Sequence, residues 1–346
     1  MSLPNVYVFY HYPCHDGFLA QLLIQRILKG YATVTTCQLQ HGAKDEPDLS
    51  LIEPGSDVLF VDIAPKPDFL AQLEAHENVA TINVWDHHID YRKVYKDYDW
   101  KTQILPNFFD ITMEHSRVSE KTTLWFCNEI SGSKLAPIAA GFWNERNAGD
   151  LEMQLTIGSR SAEMYIHPIV VHASDYDTWT KAYPNTDAVF AYYRNYKYDD
   201  EAPWHQLLDR ITSFDQPGYR DIVMKGESML YAIQTLVEKL ADGETPRETP
   251  ITVPSGTYNG IVCNAYSLLA NDLGDEFRNR GYDFAIMYNI TPTKISLSIR
   301  AREGVPANEI AQKWGGGGHA GSAGAGIVGT TAMVHWLKEF AFDPNS

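Results

Sequence analysis

In the first hundred residues, short apolar stretches alternate with amphipathic ones, and the apolar stretches run out onto acids and histidines. VYVFY (6–10) reads as a strand, and DGFLAQLLIQRIL (16–28) has helical apolar spacing. ATVTTCQL (32–39) is a second strand and DVLFVDIAP (57–65) a buried third. KPDFLAQLEAH is a helix whose Pro67 and Asp68 suit a first turn, and ATINVWDHH is a fourth strand. Alternation at this spacing predicts an α/β fold with a mostly parallel sheet and helices on both faces. Ligands of such sheets gather at the carboxyl ends of the strands. His11, Asp62, Asp86, His87 and His88 all lie just past predicted strand ends.

From residue 119 to about 204 the pattern is mainly helical, interrupted by VVHASDYDTWTKAYPNTD. A long helix is expected over 220–243, closing on Gly243. ETPRETP (244–250) holds two prolines and no apolar residue, and reads as linker or turn. Beyond it, GIVCNAYS, DFAIMYNITPTKISLSIRA, a helix PANEIAQKW and the run GGGGHAGSAGAGI predict a compact second domain. There is no internal repeat, coiled coil or low-complexity tract.

Length and charge narrow the partners. A chain of 346 residues suggests two domains or one large one. Its 44% hydrophobic and 21% charged residues are ordinary for a globular core. A net charge of −16 argues against long duplex nucleic acid. A short anionic substrate remains compatible, because a divalent metal reverses the local sign. Cys14, Cys37, Cys127 and Cys263 are widely separated without a CxxC pair, which fits a reducing compartment. No apolar run reaches the roughly 18 residues of a membrane span. A soluble, cytoplasmic protein is the expectation.

Four segments carry candidate ligands: HYPCHDG (11–17), FVDIAP with Asp62, WDHH with Asp86–His88, and HASDYDTW with Asp175 and Asp177. Buried carboxylates are costly unless paired or metal-bound. Imidazole with carboxylate suits manganese, iron, zinc or magnesium. Two metals bridged by a carboxylate and a hydroxide would hold an attacking oxygen beside phosphorus. Singly, each segment has an ordinary explanation: a surface histidine, a turn, or a helix cap at Asp175. Their convergence on one predicted sheet favours the metal site.

The second domain offers a different element. The four glycines Gly315–Gly318 precede His319, and glycine lets backbone N–H groups cradle an anion. In SLSIRARE, alternation puts Ser296, Ser298, Arg300 and Arg302 on one face of a strand. Arginine grips phosphate through paired donors, making these residues clamp candidates.

Taken in order, WDHH, FVDIAP, HYPCHDGFLA, ASDYDTWTKAYPNTDAVFAYY, VCNAYSLLANDLG, SLSIRARE and GGGGHAGSAG resemble the DHH phosphoesterase superfamily, specifically its members with a C-terminal DHHA1 domain, such as oligoribonucleases and nucleotide phosphodiesterases. The likeness covers nearly the whole chain. It implies a parallel-sheet αβα catalytic domain (1–205), a helical linker (206–250) and a smaller mixed α/β DHHA1 domain (251–346), with the active site in the cleft between the domains. By the same resemblance His11, Asp16, Asp62, His87 and Asp175 are metal ligands, with Asp62 the bridging candidate. Asp86 orients its neighbours or ligates directly, and His88 contacts the scissile phosphate or protonates the leaving oxygen. Arg300, His319 and the backbone of Gly315, Gly316, Gly317 and Gly318 hold phosphate or nucleotide.

One departure stands out. Many members carry two aspartates in the first motif, whereas His11-Tyr12-Pro13-Cys14-His15-Asp16 has one. Cys14 or His15 would take the missing place. The leading expectation is a divalent-metal phosphodiesterase, with one or two ions, Mn²⁺ first and Mg²⁺, Co²⁺, Fe²⁺ or Zn²⁺ as alternatives. A metal-bound hydroxide is its nucleophile and short oligonucleotides or small nucleotides its substrates. A homodimer is compatible with this reading, and a membrane partner is not expected. The alternatives are an inorganic pyrophosphatase or exopolyphosphatase, and a non-catalytic nucleotide or metal binder. Tyr266 and Trp314 are candidates for stacking on a base, although a core role suits either.

Overall fold

The apolar runs of the first hundred residues become parallel strands. The computed structural model describes residues 3–40, 47–105, 108, 110–147, 151–318 and 320–340. It divides into two units, Met1–Glu227 and Ser228–Ser346. The first unit holds β1 (Asn5–His11), α1 (His15–Leu28), β2 (Thr33–Leu39), β3 (Ser56–Val61), α2 (Pro67–Ala75), β4 (Val79–Asp86) and α3 (Ile89–Val94). It continues with β5 (Lys101–Leu105), β6 (Ile111–Arg117), β7 (Thr122–Phe126), α4 (Gly132–Asn147) and α5 (Leu151–Tyr165). Helices α6 (Pro168–Asp177), α7 (Thr186–Tyr193), α8 (Ala202–Arg210) and α9 (Pro217–Ala241) complete it, α9 running across the division.

Among the described residues the strands form a seven-stranded sheet in the order β2-β1-β3-β4-β7-β6-β5. The β2-β1-β3-β4-β7 pairings are parallel, and β6 and β5 add an antiparallel edge. The central strands are apolar on both faces because both are covered. Tyr7, Phe9, Val58, Phe60, Ile82 and Val84 pack with Phe69, Leu70 and Leu73 of α2 and Tyr91 of α3. Val6, Val8, Leu59 and Val61, buried as well, alternate to the other side, where α4 packs against β3, β4 and α1. Each such side chain contributes about 1.5–3 kcal/mol by leaving water.

Three expectations change. Residues 101–126 form three strands, where the sequence reading had none before 119 and mostly helix after it. The interruption beginning VVHASDYD is helical up to Asp177, with Pro168 in the first turn and His167 Nδ1 accepting from the N–H of Ile169. Its Pro168 to Asp175 are all buried, so no polar face marks the helical period. The stretch read as a linker over 244–250 already enters a strand at Arg247.

The second unit contains β8 (Arg247–Val253), β9 (Gly256–Asn264), α10 (Ala270–Asn279), β10 (Phe284–Ile290), β11 (Lys294–Ala301) and α11 (Ala307–Gln312). β12 (Gly317–Gly318), β13 (Ser322–Val328) and α12 (Thr330–Phe340) follow. Its described strands are ordered β12-β13-β11-β10-β9-β8, with only β9 and β10 parallel. Leu273 and Phe277 of α10 pack with Ile261, Ala285 and Met287, together with Val237 and Ala241 of α9. Ile310 of α11 and Trp336 and Phe340 of α12 pack with Ile286, Ile295, Leu297 and Ile299. No helix among the described residues is long and apolar enough to cross a membrane.

Candidate metal centre

Parallel strands deliver their last residues to one edge of the sheet, so β1, β3 and β4 bring His11, Asp62 and Asp86–His88 together. Asp62 follows β3 with φ 64°, a left-handed conformation that a non-glycine residue adopts only when its surroundings impose it. Its N–H donates to Trp85 O at 3.0 Å. The side chain sits between two glycines. A Cβ on Gly132 would lie 2.2 Å from Asp62 Cβ, and one on Gly17 would lie 2.9 Å from Asp62 Oδ2. Both glycines are therefore a steric requirement of this carboxylate.

Asp62 is 1% exposed. Its Oδ1 lies 3.0 Å from His87 Nε2, and its Oδ2 makes no hydrogen bond, the nearest ionic group being His11 Nδ1 at 3.5 Å. His87 Nε2 is also 3.4 Å from Asp177 Oδ2. Asp16, in the first turn of α1, is fixed by the Ser131 hydroxyl at 2.5 Å and the Ser133 N–H at 3.1 Å. One ligand atom each of Asp16, Asp62 and His87 lie within 4.8 Å of one another, as do those of His11, Asp62 and His88, and of Asp86, His87 and His88.

Burial and neighbouring charges set the electrostatics of the cluster. Burial and then the charges of Asp62 and Asp177 push the Asp16 carboxyl well above its usual range. Burial, followed by the charge of Asp62 among others, likewise raises Asp177. Burial opposes the Asp62 carboxylate too, but contacts with His11 and His87 outweigh it and hold its pKa low. Burial also opposes a charged His87, yet the hydrogen bond and charge of Asp62 outweigh it, raising the imidazole to about 10. An imidazolium thus balances this group of acids, and a divalent cation would serve the same purpose with neutral imidazole as ligand. Buried oxygens without partners, Asp62 Oδ2 and Asp86 Oδ2, complete a donor set of carboxylate and imidazole that fits such an ion.

Asp86 is 0% exposed, and its Oδ1 accepts from the N–H of His87 at 2.7 Å, the N–H of His88 at 3.1 Å and His88 Nδ1 at 2.7 Å. That carboxylate fixes the orientation of the His88 ring, the arrangement expected for an acid that positions an imidazole. Cys14 sits in the field of the cluster. Burial, then Asp62, Asp16 and Asp177, raise its thiol well above the ordinary value. His15 is turned away from the cluster. Its Nε2 lies 2.9 Å from Arg194 O and its Nδ1 3.0 Å from Tyr198 OH, in a cage with Phe190, Tyr193 and Trp204.

Asp175 is not brought into the cluster. Its Oδ1 accepts from Thr180 Oγ1 at 2.9 Å and Ala182 N at 2.8 Å, and its Oδ2 from Tyr183 N at 3.1 Å and Thr186 Oγ1 at 2.5 Å. Thr186 in turn meets His172 Nδ1 at 2.8 Å, whose Nε2 meets Tyr219 OH at 2.8 Å. Because Thr186 donates to Asp175, it accepts from His172 Nδ1–H, leaving Nε2 to accept from Tyr219. Asp177, two residues later, is the acid of this segment that reaches His87.

In the second unit, β11 alternates as expected, with Ile295, Leu297 and Ile299 buried and Ser296, Ser298 and Arg300 partly exposed. Arg300 Nε donates to Asn271 Oδ1 at 2.7 Å and Nη1 to Ile299 O at 2.9 Å, its stem lying over Gly274 of α10. Arg302 is paired with Asp283, Nη2 to Oδ1 being 2.7 Å. Within the glycine run, a Cβ on Gly316 or Gly318 would collide with β13, 2.1 Å from Gly324 O and 2.6 Å from Ala323 Cα respectively. Those two glycines therefore have a packing role. Gly315 and Gly317 face open space, and His319 lies outside the described residues. Tyr266 is 64% exposed, whereas Trp314 packs with Trp336 and Phe340 in the core.

Residues 251–340 match the family described as DHHA1 domain. The chain thus carries a DHHA1 domain over its C-terminal quarter. A comparison with curated protein sequences gives no match. Among solved structures it is similar to a pGpG-specific phosphodiesterase, PggH, of Vibrio cholerae, with 8% identity and a TM-score of 0.43 over 97% of this chain and 96% of that one. It is also similar to a protein assigned as a family II inorganic pyrophosphatase of Methanococcus jannaschii, with 13% identity and a TM-score of 0.30 over 95% of each chain. At these scores neither likeness decides anything about activity.

For this DHHA1-containing chain, the sequence reading named both acids of SDYD but chose Asp175, and it missed Ser131, Gly132 and Ser133. No local signal marks the serines and glycine, since their partners Asp16 and Asp62 lie far away in sequence. The role of Asp175 is testable. Asp175→Asn turns an amide donor toward N–H and O–H donors, so it is expected to destabilise by about 1–3 kcal/mol. Thermal unfolding measures this, and an unchanged midpoint would remove Asp175 from its place as the hub of this segment.

Proposed function

We propose that this protein is a divalent-metal-dependent phosphodiesterase acting on short oligonucleotides or small nucleotides. The observation that carries the reading is the buried Asp62, with one oxygen against His87 and the other without a hydrogen bond, among further acids and histidines. Such an ion, when bound, polarises phosphate and activates water. His11, Asp16, Asp62, His87 and Asp177 would hold it, and oxygen-rich donors with imidazole suit Mn²⁺. Cys14 is a further candidate ligand.

Asp86 accepts the Nδ1 proton of His88 and so presents Nε2 for contact with the phosphate or for protonating the leaving oxygen. Arg300 supplies a guanidinium for phosphate in the DHHA1 domain, with the Gly315–Gly318 backbone and His319 proposed alongside it. Arg302 is taken up by Asp283, and Lys313 Nζ donates to Thr252 O at 3.2 Å. Among the described residues all three cations between 296 and 319 have partners, an acid for Arg302 and amide or main-chain oxygens for Arg300 and Lys313, which favours a phosphodiester over the more highly charged inorganic pyrophosphate. The net charge of −16 favours a short substrate. Free cysteines, Cys14 and Cys37 among them, accord with a reducing cytoplasm.

The test is hydrolysis of dinucleotides, short oligonucleotides and pyrophosphate with Mn²⁺ added. Turnover on dinucleotides should disappear with EDTA and return with excess Mn²⁺. No turnover on any phosphodiester, or faster release of phosphate from pyrophosphate, would reverse the assignment.

A further inference from the structure

Between Asp177 and α7 the chain makes an unusual turn. Trp179, Lys181 and Asn185 have φ of 57°, 49° and 72°, three left-handed non-glycine residues within seven positions. A bulky residue in this region is a genuine outlier, and such strain gathers where function requires a fixed side chain. The turn is shaped from inside by Asp175, which accepts from Thr180, Ala182, Tyr183 and Thr186. Thr178 adds a bond from its hydroxyl to Ser174 O at 2.8 Å. These bonds offset the strain and hold the backbone in one conformation.

The side chain presented by this turn is an indole in water. Trp179 is 58% exposed, whereas Trp85 and Trp204 of the same unit are fully buried. It leans on Tyr176, with ring centroids 5.8 Å apart at 32°, and Tyr176 is stacked on Phe190 at 11°. Lys181 Nζ, paired with Asp187, lies 3.9 Å from the Tyr176 ring and 5.3 Å from that of Trp179 and so covers one side of the aromatic pair. Trp179 is two residues beyond Asp177, whose carboxylate lies 3.4 Å from His87. Two peptide units place its Cα at most about 7.6 Å from that of Asp177.

We propose that Trp179 is the platform on which a base of the substrate stacks beside the metal centre, with Asp175 as the positioning residue that shapes its turn. The proposal rests on the phosphodiesterase reading and narrows its substrate to one carrying a nucleobase next to the scissile phosphate. An exposed ring carried on a braced backbone suits a base, since every base offers a π-face. Burying a packed tryptophan would need no strain, and a loop serving only as a connection would not place its largest apolar side chain in solvent.

The test compares the native protein, Trp179→Ala and Trp179→Phe on a dinucleotide and on the same phosphodiester with one base removed. The ratio of kcat/KM for the dinucleotide to that for the abasic substrate should fall about tenfold in Trp179→Ala, and recover in Trp179→Phe. An unchanged ratio in Trp179→Ala would overturn the platform while leaving the phosphodiesterase reading intact. If the native protein cleaves neither substrate, that reading fails, and calorimetric binding of a dinucleotide phosphorothioate judges the platform alone. Loss of affinity in Trp179→Ala, restored in Trp179→Phe, supports it, and equal affinity in all three proteins refutes it.

Discussion

Asp62→Asn is expected to abolish Mn²⁺-dependent hydrolysis and to weaken Mn²⁺ binding by at least about 100-fold. Even residues that only position metal ligands change affinity by about 10–100-fold, and Asp62 is itself a proposed ligand. Asparagine is the informative replacement. Asp62 sits at φ 64°, which asparagine tolerates, whereas a residue without a short polar side chain adds about 1–2 kcal/mol of backbone strain there. The amide keeps the shape of the carboxylate, removes its charge and turns two hydrogens into a site built from acceptors. It also deprives His87 Nε2, 3.0 Å away, of its counter-charge. Calorimetric titration with Mn²⁺ and the dinucleotide assay measure the two effects. Native affinity and activity in Asp62→Asn would remove Asp62 from the centre.

Gly132→Ala is expected to lower stability by about 1–3 kcal/mol, the range for overpacking an interior, and to disturb metal binding as well. The added Cβ would stand 2.2 Å from Asp62 Cβ and 2.6 Å from its Cγ. Neither partner can yield cheaply. Asp62 is held by its N–H to Trp85 O, and Gly17 closes on its other side. For a unit of this size the change corresponds to about 2–12 °C in Tm. Gly158→Ala is the control, because a Cβ there meets nothing within 4 Å and α5 gains helix propensity. Equal Tm and equal Mn²⁺ affinity in Gly132→Ala and the native protein would show that the glycine cradle is not needed.

What was legible along the chain follows from which faces meet water. Strand β3 reads correctly because a parallel strand covered on both sides must be apolar throughout, α1 from its apolar spacing, and α2 because Pro67 and Asp68 mark its first turn. Helix α6 does not read, because burial on every side removes the 3.6-residue period. That helix decides which acid of SDYD lies beside His87. Residues two apart share a face on a strand but point about 200° apart on a helix. Asp175 and Asp177 therefore diverge, one into a structural network and the other toward His87. The edge strand β5 is short and largely exposed, and β6 (ITMEHSR) mixes polar with apolar residues, so no apolar run announces either.

By itself the sequence determined the parallel sheet, the gathering of His11, Asp62 and Asp86–His88 at its strand ends, and the DHHA1 half. Period and burial are local properties, written residue by residue. The tertiary structure alone decided that Asp177 rather than Asp175 faces His87, that His15 packs in an aromatic cage, and that Gly17 and Gly132 make room for Asp62. Each of these depends on which distant segments meet, and the clash that forbids a Cβ is created only when they do.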